Sequence, residues 1–151
     1  MSKSALILLV EDSRMDVELM LDAFGEAGLS NRIEVAENGH MALDYLFGEG
    51  KYTSRKDYPL PDLILLDLKM PGIDGFEVLG RIKETPPLKR IPVVILTASR
   101  EEGDQAISYD NGVNSYLVKP VSFPGFVEIV SKIGDYWLTL NVGPPRDDSC
   151  P

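Results

Sequence analysis

Residues 61–72 read Pro61-Asp62-Leu63-Ile64-Leu65-Leu66-Asp67-Leu68-Lys69-Met70-Pro71-Gly72. The apolar run 63–66 is too short for a helix and shows no polar alternation, which is how a strand buried on both faces looks. Met70-Pro71-Gly72 is turn chemistry, with proline fixing φ and glycine free to take positive φ. Between strand and turn stands Asp67, a carboxylate interrupting an otherwise apolar stretch. Strands of this kind belong to parallel sheets covered by helices, where functional groups collect at the carboxyl ends of the strands.

Working outward, residues 5–10 and 91–96 repeat the apolar pattern, while 32–36 and 115–118 read as strands nearer a sheet edge. Helical period fills the intervals. Over 14–27, Val17, Met20, Leu21 and Phe24 share a face, and Ser13 and Asp16 are spaced as an N-cap and its N3 partner. Further helices are expected over 40–47, 74–84, about 101–110, and 123–139. Strand alternating with helix argues an α/β fold, a parallel sheet with right-handed crossovers and helices on both faces. Residues 48–61 are long for such a connection and, being rich in Gly, Pro and charge, read as an exposed loop. Residues 141–151 read as a mobile tail, which leaves 1–140 as one domain.

The chain has 151 residues, 44% of them hydrophobic and 26% charged, the composition of an ordinary globular domain. Fifteen Lys+Arg against 24 Asp+Glu give a net charge of −9, which opposes binding to nucleic acid or anionic lipid. The apolar run 5–10 is far short of the roughly 20 residues that span a bilayer. The single cysteine, Cys150, has no internal partner and fits a reducing compartment, so a cytoplasmic location is expected.

Glu11 and Asp12 end the first strand and Asp67 ends the third. If these strands are neighbours, three carboxylates converge, and like charges so crowded raise a pKa or recruit a cation. A hard cation with oxygen ligands answers the problem, and Mg²⁺ leaves room for a phosphate. The blander reading of Glu11 and Asp12, acidic groups favouring a helix dipole, stands beside it. Thr97 closes the fourth strand with a hydroxyl, and Lys119 closes the fifth, followed by Pro120 in a candidate cis peptide. Singly, each is an ordinary strand-end or surface residue; together they form a constellation. An Asp nucleophile can then form an acyl phosphate, with metal and lysine neutralising the phosphoryl oxygens.

Glu11-Asp12, Asp67 with Met70-Pro71-Gly72 and Asp74-Gly75, Thr97-Ala98 and Lys119-Pro120 resemble the receiver domain of two-component response regulators over about residues 4–139. The resemblance implies a flavodoxin-like sheet of order 2-1-3-4-5, with Asp67 as phosphoacceptor. It implies Mg²⁺ bound by Asp12, Asp67 and the backbone carbonyl of Lys69, with Glu11 reaching it mostly through water. Thr97 and Lys119 would hold the phosphoryl group, and Tyr116 would be the aromatic switch that turns inward as Thr97 is drawn to it. The 48–61 loop, the phrase 61–67 and Asp135-Tyr136-Trp137-Leu138 are similar to stand-alone regulators of bacterial and cyanobacterial phytochromes. That likeness implies a sensor histidine kinase as donor, a phytochrome among the choices, and a homodimer.

Other classes fit less well. A flavin binder needs a phosphate loop where Glu11-Asp12 would repel phosphate. An Asp-nucleophile phosphatase of the haloacid-dehalogenase type needs an acid where Lys69 stands, so an enzyme acting on external substrates is not expected. A phosphorylation-independent scaffold is disfavoured because every chemical position is filled. Too few residues follow 139 for an output domain, so the signal is expected to leave by protein contact or onward transfer. In the last helix Phe126, Ile129, Val130, Ile133 and Trp137 form an apolar stripe that Phe123, Val127, Tyr136 and Leu138 widen. One reading gives the surplus to a second chain, the other to the core.

Overall fold

The computed structural model describes residues 5–98, 100–102, 115–120 and 122–135. Five strands, β1 (Ile7–Val10), β2 (Ile33–Ala36), β3 (Leu63–Asp67), β4 (Val93–Thr97) and β5 (Ser115–Val118), form one sheet in the order β2-β1-β3-β4-β5. Every pairing is parallel, with Val10 opposite Leu66 and Asp67 opposite Leu96. The expected α/β architecture and strand order are therefore those observed. The described helices are α1 (Arg14–Glu26), α2 (Gly39–Phe47), α3 (Gly75–Glu84) and α4 (Phe123–Ile133). The helix expected over 101–110, and Tyr136, Trp137 and Leu138, fall largely or wholly outside the described residues.

Side chains alternate across each strand, so the apolar runs of β1, β3 and β4 serve two cores at once. Leu8, Val10, Ile64, Leu66, Val93 and Ile95 meet α2 and α3. Ile7, Leu9, Leu63, Leu65, Val94 and Leu96 meet α1 and α4 on the opposite face. Phe126, Val130 and Ile133 of α4 are buried there, with Val127 and Ile129 packed beside them. Among the described residues, the apolar surplus of that helix reduces to Phe123, which is exposed.

Residues 48–61 are exposed at 49–51, 53 and 55–57, as the sequence leads one to expect, but the segment is also tied to α2. A short 3-10 turn (Gly50–Tyr52) buries Tyr52, whose ring lies 4.9 Å from that of Tyr45 and 5.0 Å from that of Tyr58. Arg55 donates to the carbonyls of Tyr45, at 2.8 Å, and Leu46, at 2.7 Å, satisfying groups that the end of α2 leaves open. Gly48 takes φ +68° at that end, beside the Arg55 guanidinium.

A receiver-type site at the strand ends

The sheet register sets the site. Glu11, one residue past β1, still donates its backbone N–H to Ala36, and its side chain is 2% exposed. Ser13 caps α1 by accepting from Asp16 N–H at 3.2 Å, and its own N–H donates to Glu11 Oε2 at 3.2 Å. Asp12 is exposed. Asp67, the last residue of β3, is 5% exposed, and Lys69 N–H points to its Oδ1 at 3.4 Å.

Beyond Asp67 the chain turns at Gly72, with φ +76°, and Asp74 caps α3. A Cβ on Gly75 would lie 2.6 Å from Leu68 Cα and closer still to the carbonyl oxygen of Asp67. Glycine thus lets α3 begin hard against the segment carrying Asp67, and Gly75 N–H donates to Leu68 O at 2.9 Å.

Thr97 is fully buried, and its carbonyl accepts from Lys119 N–H at 2.7 Å. That bond aims the lysine along the sheet. The Lys119–Pro120 peptide, a candidate cis bond in the sequence, is trans. Lys119 Nζ lies 2.7 Å from Glu11 Oε1, 3.1 Å from Asp16 Oδ2 and 3.5 Å from Asp67 Oδ2.

One carboxylate oxygen each from Glu11, Asp12 and Asp67 lie within 4.8 Å of one another. Burial pushes the Glu11 carboxyl up to about 7, against the pull of its hydrogen bond to Lys119 and with the charge of Asp67 adding to the rise. Burial also raises Asp67, opposed by Lys119. Burial works against the charge of Lys119 too, but its hydrogen bond to Glu11 and the surrounding carboxylates outweigh that and hold it above the usual lysine range. The lysine thus does not fully offset the burial of Glu11 and Asp67. An all-oxygen donor set of this spacing fits a hard divalent cation.

The Lys69 side chain points outward to Glu102 Oε2 at 2.7 Å. Tyr116 is half-buried beside the α2/α3 core and pairs with Ile95, two residues before Thr97. His40 is exposed, its Nε2 3.5 Å from Asp44 Oδ2.

The response regulator receiver domain family matches the chain over residues 7–131. The chain belongs to that family. This receiver is 45% identical over 140 residues to the probable methanogenesis regulatory protein FilR2 of Methanothrix harundinacea, covering 92% of this chain and 87% of that one. It is 41% identical over 132 residues to response regulator Rcp1 of Synechocystis sp., covering 87% and 88%. The Mn²⁺-bound form of Rcp1 superposes with a TM-score of 0.79 at 39% identity, covering 94% of this chain and 99% of that one. The phosphorylated cyanobacterial phytochrome response regulator RcpA superposes with a TM-score of 0.84, also at 39% identity, covering 95% and 100%. The expected likeness to the phytochrome response regulators is therefore found.

One residue of the receiver's charged cluster escaped the sequence reading. Asp16 was legible as a partner of the Ser13 cap, and its backbone plays that part. Its carboxylate instead meets Lys119, 103 positions away. Its position one turn past Glu11-Asp12, at the mouth of the same strand ends, is the only signal the sequence held.

Proposed function

We propose that this protein is a stand-alone response regulator that accepts a phosphoryl group on Asp67 from a sensor histidine kinase, with Mg²⁺ at Glu11, Asp12 and Asp67, and acts as a phosphorylation-controlled switch. One observation carries the reading: a buried carboxylate at the end of β3, crowded by two others and faced by an ammonium 3.5 Å away. The resemblance adds the Lys69 carbonyl to the metal ligands. Mg²⁺ rather than another divalent ion is our choice from its hardness and retained waters, and the Mn²⁺ bound by Rcp1 supports a divalent ion.

In this mechanism an Asp67 carboxylate oxygen attacks phosphorus in line. The new O–P bond forms as the bond from phosphorus to the donor breaks, and that electron pair leaves with the donor. The cation supplies charge neutralisation for the phosphoryl oxygens. Lys119 donates to one of those oxygens and the Thr97 hydroxyl to another. Tyr116 and Thr97 lie on the same sheet face of adjacent strands, so movement of Thr97 towards the phosphoryl group vacates space on the side of Tyr116. The protein catalyses only its own modification. Residues 1–140 form the receiver, residues 141–151 lie outside it, and the single cysteine fits the cytoplasm.

A phytochrome-type kinase is the proposed donor, on the strength of Rcp1 and RcpA. The likeness to FilR2 favours a second reading, a kinase answering a metabolic signal. A second copy of the chain is the proposed partner in the activated state, supported by exposed Val118 and Phe123 on β5 and α4.

Incubation with acetyl phosphate and Mg²⁺ should add one acid-stable, base-labile phosphoryl group by intact mass. No adduct should form with Asp67→Asn or with chelator present. An adduct that survives Asp67→Asn overturns the reading. Phosphotransfer rates from a panel of kinases decide the donor, and sedimentation with and without beryllofluoride decides the dimer.

A further inference from the structure

Lys119 has three N–H donors and three carboxylates to receive them, and the contacts are not equivalent. Glu11 and Asp16 hold Nζ at 2.7 and 3.1 Å, while Asp67 stands at 3.5 Å, beyond a short charge-assisted bond. Glu11 and Asp67 also belong to the trio that fits a cation, whereas Asp16 does not. A cation on that trio draws on the same oxygens and the same negative charge that now hold the lysine. Asp16, in the first turn of α1 with its side chain 26% exposed, is the acceptor left unshared.

We infer that Asp16 is a positioning residue whose carboxylate anchors the Lys119 ammonium beside Asp67 when the trio is engaged by a divalent cation. The inference rests on the phosphoacceptor reading. Lysine carries its charge on a flexible four-carbon stem, so an acceptor outside the metal cluster keeps the ammonium from swinging into solvent when its other partners are claimed. Because α1 is capped by Ser13, with N–H of Asp16 bound to Ser13 Oγ, the anchor stands on a fixed helical turn. Asp16 touches no reacting atom and acts through Lys119 alone.

Two measurements test this. Beryllofluoride, a phosphoryl mimic, is titrated at saturating Mg²⁺. Asp16→Ala should weaken its capture about three- to tenfold, the value for one partly exposed charged hydrogen bond. Asp16→Asn, which keeps an acceptor oxygen, should fall between Ala and wild type. Glu18→Gln removes the same charge from an exposed position two residues along α1, turned away from Asp16, and should leave capture unchanged.

The second measurement needs no phosphoryl group. With Mg²⁺ alone, nitrogen-edited NMR should show the Lys119 ammonium, assigned through its loss in Lys119→Gln. The signal should persist in wild type and disappear into solvent exchange in Asp16→Ala. An unchanged signal and unchanged capture in Asp16→Ala overturn the anchor, as does a Glu18→Gln loss equal to that of Asp16→Asn. If wild type takes no phosphoryl group on Asp67, the phosphoacceptor reading falls while the ammonium signal still reports on the anchor. If wild type is phosphorylated and the signal ignores Asp16, only the anchor falls.

Discussion

Burial disfavours the charged forms of Asp67 and Glu11, and a single lysine divided among three carboxylates does not fully offset it. Asp67→Asn should therefore raise the thermal midpoint of the metal-free protein at neutral pH, since a neutral isostere removes a buried like charge. A lower midpoint without metal would show that the lysine fully compensates Asp67. Tyr45 offers a contrasting case. Its hydroxyl donates to Pro59 O at 2.8 Å, and burial pushes its pKa to about 12. Because the folded pKa lies above the unfolded value of about 10, its contribution is complete below pH 10 and lost as pH rises towards 12. Tyr45→Phe should cost about 1–2 kcal/mol in urea at neutral pH and flatten the alkaline loss of stability between those limits. Asp16 marks where residue-level reading ran out, because a spacing of three from Ser13 had a sufficient local explanation and the distant lysine left no trace in the local pattern.

At the level of elements, β1, β3 and β4 were legible because burial on both faces leaves no polar position in a strand, and the cap of α1 followed from Ser13. The exposed positions of the 48–61 segment were legible, but its attachment to α2 was not. Its Gly, Pro and charged residues have the composition of an exposed loop, yet the rings of Tyr45, Tyr52 and Tyr58 pack together in tilted and edge-to-face pairs and Arg55 reaches back to α2. Composition reports the mean polarity of a segment, whereas a guanidinium hydrogen-bonded to helix-end carbonyls is a tertiary event. Arg55→Ala should destabilise the protein by about 1–3 kcal/mol, since it leaves the carbonyls of Tyr45 and Leu46 without that donor. Limited proteolysis should then cut within 48–61 first. Equal cleavage rates in wild type and variant would show that the tyrosine cluster holds the segment unaided.

For the whole molecule, a cation that binds only the folded carboxylate trio stabilises the fold by mass action. Mg²⁺ at one hundred times its dissociation constant should add about 2.7 kcal/mol to unfolding, reversed by chelator and reduced in Asp12→Asn. A melting curve indifferent to Mg²⁺ would count against the trio as a cation site. Among the described residues no helix is long and apolar enough to cross a membrane, in keeping with the short apolar runs of the sequence. Periodicity and strand-terminal position are local properties of the chain, so the α/β class, the strand ends that bear carboxylate, hydroxyl and ammonium groups, and their likeness to a receiver were all legible in the residues. Tertiary structure alone decided that Lys119 divides its donors among Glu11, Asp16 and Asp67, that its peptide bond to Pro120 is trans, and that Arg55 closes α2. Those outcomes depend on distances between residues remote in the chain, which only the packed sheet and helices set.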